Sequence, residues 1–165
     1  MAGNVNETSS RQLRFSNGSR DLVICASAVE VLRAHIQDGN KPEAGGILLG
    51  KAYTDRDEVL NITVPGPEDW RQRFGFIRRK RPAQRAIDTA WETSKGTLIY
   101  LGEWHTHPVP RPVPSGTDLR MIKRMLRTTV MEIDYLYLLI VGLGLDCWLG
   151  RQIGENTSEL KQIDN

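Results

Sequence analysis

Gly102-Glu103-Trp104-His105-Thr106-His107-Pro108, followed after six residues by Ser115-Gly116-Thr117-Asp118, is the stretch on which the reading of this chain turns. Thr97 to His107 reads as a strand. A strand alternates its side chains, so His105 and His107 point to one face while Trp104 and Thr106 point to the other. Two imidazoles need that arrangement to share one ion. Residues 108–114 are proline-rich and read as a rigid loop, because proline fixes φ and removes a donor. Ser115 then opens a helix with Leu119, Ile122 and Leu126 inward. Asp118 falls in its first turn, where a carboxylate can project back over the strand end. Two His and one carboxylate are a normal catalytic zinc set, with the fourth position left to water.

The chain holds three histidines, and two of them sit in this pattern. The third, His35, reads as an ordinary helix histidine. Ser115 supports two readings. Ser-x-x-Asp at a helix start resembles a capping box, with Asp in place of Glu or Gln. The Ser115 hydroxyl can also donate to a carbonyl that becomes an oxyanion. Capping uses the oxygen as acceptor and leaves its proton free, so the two roles are compatible. Water activated at such a centre needs a general base. Glu103 shares a strand face with both histidines. Glu43 stands before Gly45-Gly46-Ile47-Leu48-Leu49-Gly50, whose small residues allow a close backbone approach. Residue chemistry alone leaves Glu43 and Glu103 both open.

Working outward, Arg20 to Cys25 reads as a short strand and Ser27 to Gln37 as a helix with Val29, Leu32 and Ile36 on one face. Gly46 to Ala52 reads as a buried strand, paired with Val59 to Val64 across a turn at Asp55-Arg56-Asp57. A loop follows at Pro65-Gly66-Pro67. Pro82 suits the first turn of a helix that buries Ala83, Ile87, Ala90 and Trp91 and stops at Gly96. Tyr135 to Val141 and Leu145 to Gly150 read as a final hairpin. The expected fold is α/β: a mixed sheet with helices packed against it. One domain is expected over residues 20–153, with a flexible segment at 1–19 and a polar tail at 154–165.

Composition agrees with one soluble globular domain of ordinary size. The chain has 165 residues, 39% hydrophobic and 25% charged, which excludes wholesale disorder. A net charge of +2 is too small to argue for a nucleic-acid protein. No apolar run approaches a membrane span, and the polar start does not read as a secretory signal. A cytoplasmic location is expected. Cys25 and Cys147 make no disulfide framework and read as small buried hydrophobes.

Glu43-Ala44-Gly45-Gly46 upstream, His105-Thr106-His107-Pro108, six residues, then Ser115-Gly116-Thr117-Asp118 resembles the motif of the JAMM/MPN+ (JAB) metalloproteases. The resemblance spans roughly Leu22 to Arg151. It implies that His105, His107 and Asp118 bind zinc, that Glu43 rather than Glu103 is the acid/base, and that Ser115 stabilises the tetrahedral intermediate. It implies a cytidine-deaminase-like α/β fold, a curved mixed sheet flanked by helices. The implied substrate is the peptide or isopeptide bond after the C-terminal glycine of a ubiquitin-like tail joined to lysine. The chain is most similar to stand-alone bacterial members. Some of these lie in type II CBASS antiphage operons beside ubiquitin-type activating and conjugating enzymes. There the isopeptidase frees a cGAS-like nucleotidyltransferase from its conjugates. No ubiquitin-binding module is read in these 165 residues, so linkage-selective editing of polyubiquitin chains is not expected.

Arg71, Arg73, Arg78, Arg79, Lys80, Arg81 and Arg85 form a basic segment with Phe74 and Phe76 interleaved. It reads as a solvated loop and helix edge or as a contact for an acidic protein, ahead of nucleic acid. Two rival functions remain at this stage. A non-catalytic MPN scaffold usually lacks metal ligands, and this chain keeps the set. A DNA-associated JAB-like protein would bind DNA in a salt-dependent way through Arg78 to Arg81.

Overall fold

Tyr135-Leu136-Tyr137-Leu138-Leu139-Ile140-Val141 is buried at every position. Such an unbroken apolar run marks a strand covered on both faces. Its odd residues join one core cluster with Phe15, Leu22, Leu48, Val59, Leu101 and Trp104. Its even residues join a second with Ile47, Leu49, Tyr100, Ala83 and Ile122. Two hydrophobic layers therefore lie on opposite sides of one set of strands.

The computed structural model describes residues 11–164. In chain order the elements are β1 (Leu13–Ser16), β2 (Asp21–Ile24), α1 (Ala26–Ala34), β3 (Gly45–Ala52) and β4 (Arg56–Ile62). Then come β5 (Trp70–Gln72), β6 (Gly75–Ile77), α2 (Lys80–Thr93), β7 (Ile99–Thr106) and α3 (Gly116–Thr128). The chain ends with β8 (Tyr135–Val141), a 3-10 turn at Leu143–Leu145, β9 (Cys147–Ile153) and β10 (Asn156–Ile163). Helix α1 puts Ala28, Val29 and Leu32 into the first cluster. Helices α2 and α3 cover the second, with Ala83, Ile87, Ala90, Ile122, Met125 and Leu126. β7 and β8 run parallel, joined through α3, which is the crossover a parallel pair requires. No helix among the described residues is long and apolar enough to cross a membrane.

The α/β class and the mixed strand directions agree with expectation, but the sheet does not stay open. Its strands close in the order β1-β10-β9-β8-β7-β3-β4-β2, a barrel in place of the expected curved sheet. Closure is made by residues read as loose ends. Residues 1–10 of the segment expected to be flexible lie outside the described residues. Residues 13–16 are β1, and most of the expected polar tail is β10. β1 and β10 pair through Arg14↔Ile163, Phe15↔Gln162 and Ser16↔Lys161. Each sends little to the core, Phe15 from one and Leu160 from the other, so their apolar pattern is faint.

Smaller differences have local causes. Trp91 was expected inward but is 42% exposed, its ring lying against Gly96, the helix stop. Cys25 and Cys147 are free and only partly buried. α1 ends at Ala34, and His35 caps it, donating from Nδ1 to the Val31 carbonyl at 2.8 Å.

β7 carries a bulge that matters for the site. Leu48 pairs with Gly102 and Leu49 with Tyr100, so one residue of β7 is extra. Gly102 adopts φ 153°, and a Cβ there would lie 2.0 Å from the Tyr137 carbonyl oxygen. Only glycine suits that backbone. The extra residue places Tyr100 and Glu103, three apart, on the same side.

Candidate metal centre and its cleft

After the bulge, β7 keeps strict alternation to its end, and His105 and His107 emerge on one face as expected. Their Nε2 atoms are 3.2 Å apart. The proline loop returns the chain so that α3 starts beside them. Asp118 Oδ1 lies 3.3 Å from His105 Nε2, and Oδ2 lies 3.6 Å from His107 Nε2. One donor atom from each of these three side chains falls within 4.8 Å of the other two. The set can hold a metal ion, and its chemistry suits one. Burial, then the nearby His105, pushes the His107 pKa down, which favours the neutral imidazole a cation needs. Burial alone would raise Asp118. Its contacts with His105 and the Ser115 backbone N–H outweigh this and hold the carboxyl well below the usual range, so it stays ionised. Two imidazoles and one carboxylate fit zinc.

Ser115 caps α3. Its Oγ accepts the Asp118 N–H at 3.1 Å, and Asp118 Oδ2 accepts the Ser115 N–H at 2.7 Å. This is the reciprocal capping box, with Asp doing what Glu usually does. It orients Asp118 from behind. Ser115 remains exposed, and capping leaves its hydroxyl proton available.

The two glutamates left open by residue chemistry have different surroundings. Glu103 is pinned. Arg78 donates to it twice, Nε and Nη2 each at 2.7 Å, and the Tyr100 hydroxyl donates at 2.5 Å. Both of its oxygens are committed to these donors. Burial, then the Glu103 charge, pushes Tyr100 well above its ordinary pKa, so it stays a donor. Glu43 lies just before β3, opposite the end of β7, where Gly45 pairs with His105. A Cβ on Gly45 would meet the Phe76 ring at 2.5 Å and the Trp104 carbonyl at 2.7 Å, so glycine is what permits this approach. Glu43 is 7% exposed, and burial raises its pKa to about 7, opposed by His105 and aided by Asp118. Near neutrality such a carboxyl can both take and give a proton.

Glu43, His105, His107, Ser115 and Asp118 all line one cleft of about 850 Å³. It continues between α2 and α3 past Ile87, Met121 and Met125. Its rim holds a β5–β6 hairpin that the sequence reading missed, with Trp70, Phe74 and Ile77 at 48%, 77% and 62% exposed. Phe74-Gly75-Phe76 was a faint signal for it, submerged in the basic run. That run is partly structural. Arg71 donates to the Glu43 carbonyl, Arg73 to Gly39, Arg78 to Glu103 and Arg79 to the Glu68 carbonyl.

Residues 26–150 match the family described as prokaryotic homologs of the JAB domain. The chain belongs to that JAB-domain family. It is 40% identical over 124 residues to a Vibrio cholerae protein named CD-NTase/cGAS isopeptidase, covering 75% of this chain and 76% of that one. An Escherichia coli protein of the same name is 32% identical over 142 residues, covering 86% and 88%. Among solved structures, one from Desulfitobacterium hafniense superposes with a TM-score of 0.61 at 21% identity, covering 82% of this chain and 87% of the other. That likeness concerns the fold alone.

Proposed function

We propose that this JAB-domain chain is a zinc-dependent isopeptidase that cuts the bond between a C-terminal glycine and a lysine amine. The observation that carries the reading is the meeting of three donors, His105, His107 and Asp118, in a cleft that also holds the buried Glu43. His105 Nε2, His107 Nε2 and the Asp118 carboxylate would hold the zinc. When bound, the cation supplies Lewis-acid polarisation of water and of the scissile carbonyl. Glu43 accepts the proton of the attacking water and delivers it to the departing amine. Ser115 donates its hydroxyl to the carbonyl oxygen as negative charge grows there. The Asp118 capping bond keeps the carboxylate from turning away. The Ile87, Met121 and Met125 side of the cleft gives an apolar bed for an extended segment.

Two relatives are named for action on a CD-NTase or cGAS protein. On that support we assign the substrate as a cGAS-like nucleotidyltransferase joined through its C-terminal glycine, in cytoplasmic antiphage defence. The test is cleavage of a glycine-ended nucleotidyltransferase conjugate by purified protein, with and without chelator. Cleavage is expected, is lost with chelator and returns with added zinc. Chelator-resistant cleavage would sink the metal scheme. A protein that binds zinc but cleaves nothing would point to a scaffold instead.

A further inference from the structure

Thr106 separates the two histidines in sequence and points away from them. It is 0% exposed. Its hydroxyl accepts the Ala44 N–H at 3.0 Å and donates to Gln37 Oε1 at 3.2 Å. Its own backbone N–H donates to the Ala44 carbonyl at 2.9 Å. Gln37 is 1% exposed and uses its Nε2 to donate to the carbonyls of Arg73, at 2.6 Å, and Lys41, at 3.1 Å. On the other side, the Glu43 N–H donates to the Gln72 carbonyl at 2.8 Å, and Arg71 Nε donates to the Glu43 carbonyl at 2.7 Å. The N–H and C=O groups of both Glu43 and Ala44 are thus all engaged.

A glutamate side chain has three rotatable bonds, so its carboxylate is only as well placed as the peptide that carries it. That peptide is held by the residue between the histidines, and through Gln37 by the loop that leads from β5 into β6. The bonds are buried, where an unpaired donor is costly and a satisfied network is stiff. Small misplacements of a catalytic group cost rate far more than binding.

We propose that Thr106 and Gln37 are positioning residues, whose shared hydrogen bonds lock the Glu43–Ala44 peptide to β7 and so aim Glu43 at the space in front of the histidines. The proposal rests on Glu43 acting as the base. It explains why a polar side chain occupies the inward face of β7 among Leu101, Trp104 and other core residues.

Thr106→Val keeps the shape and removes the hydroxyl. Thr106→Ser keeps the hydroxyl. Gln37→Leu removes the far partner. All three are compared with Glu43→Gln in conjugate cleavage, zinc titration and amide hydrogen exchange of the metal-free protein. In Thr106→Val, kcat is expected to fall about tenfold or more with KM and zinc affinity within about twofold, while Thr106→Ser stays within about threefold of wild type. The Ala44 amide is expected to exchange faster in Thr106→Val and not in Thr106→Ser. Gln37→Leu gives the same kcat-only loss to a smaller degree, and stands in if Thr106→Val does not fold. Wild-type kcat in Thr106→Val or Gln37→Leu, with Glu43→Gln inactive, overturns the positioning role. So does an equal loss of zinc affinity. An active Glu43→Gln would instead remove the base reading beneath it.

Discussion

Glu43 is a carboxyl enclosed by the cleft and placed beside a second carboxylate, Asp118. Its pKa of about 7 stands above the ordinary 4.5, because burial penalises the charge. The folded state therefore holds this proton more tightly than the unfolded chain. The stabilisation is complete below pH 4.5 and is lost as pH rises through 7. Glu43→Gln removes the ionisation, so the metal-free variant should be more stable than wild type at pH 8, by about 1–3 kcal/mol, and no more stable at pH 4. Denaturant melts at the two pH values check this, and an equal effect at both would rule it out. The rate should behave in the opposite sense. In its proposed role as base Glu43 works ionised, so kcat/KM should rise with pH along an acid limb, and Glu43→Gln should be inactive at every pH along it. A bound cation favours the carboxylate, which sets that limb below about 7. The spacing of His105, His107 and Asp118 was legible in the sequence, since strand parity and a helix start suffice to bring them together. The choice between Glu43 and Glu103 was not legible from the residues. It depends on Arg78, 25 positions from Glu103, reaching that carboxylate and occupying it.

At the level of elements, local pattern served where a strand or helix buries a full face. β3, β7, β8 and α3 were all legible for that reason. β5 and β6 are three residues each, leave large side chains in water and are bounded by arginines, so no periodicity announces them. The bulge in β7 was equally hidden, although it decides which side chains share the cleft wall. Gly102→Ala should expose this dependence. The new methyl would meet the Tyr137 carbonyl, at a φ that only glycine accepts comfortably. A loss of about 3 kcal/mol or more in denaturant unfolding is expected, with weaker zinc binding because β7 carries both histidines. A variant as stable as wild type would mean that the strand can shed its extra residue.

For the molecule as a whole, the three donors sit on consecutive elements, the end of β7 and the start of α3, and meet only when the folded sheet and helix bring them together. A ligand that binds only the folded state stabilises it by mass action. Zinc held 100-fold above its dissociation constant should add roughly 2.7 kcal/mol. Thermal melts with zinc and with chelator should differ by several degrees, and His107→Ala should erase the difference. The barrel itself has a separate implication. Because Arg14 pairs with Ile163, the first described strand begins where the last one finishes. The order in which the strands are synthesised is therefore not written into their arrangement. A short linker from residue 164 to residue 12, with new ends cut at the exposed Gly154–Glu155 turn, would turn β10 and β1 into an ordinary hairpin. Such a circular permutant should fold, bind zinc and cleave, since its new ends avoid β3, β7 and α3, which carry or flank the site residues.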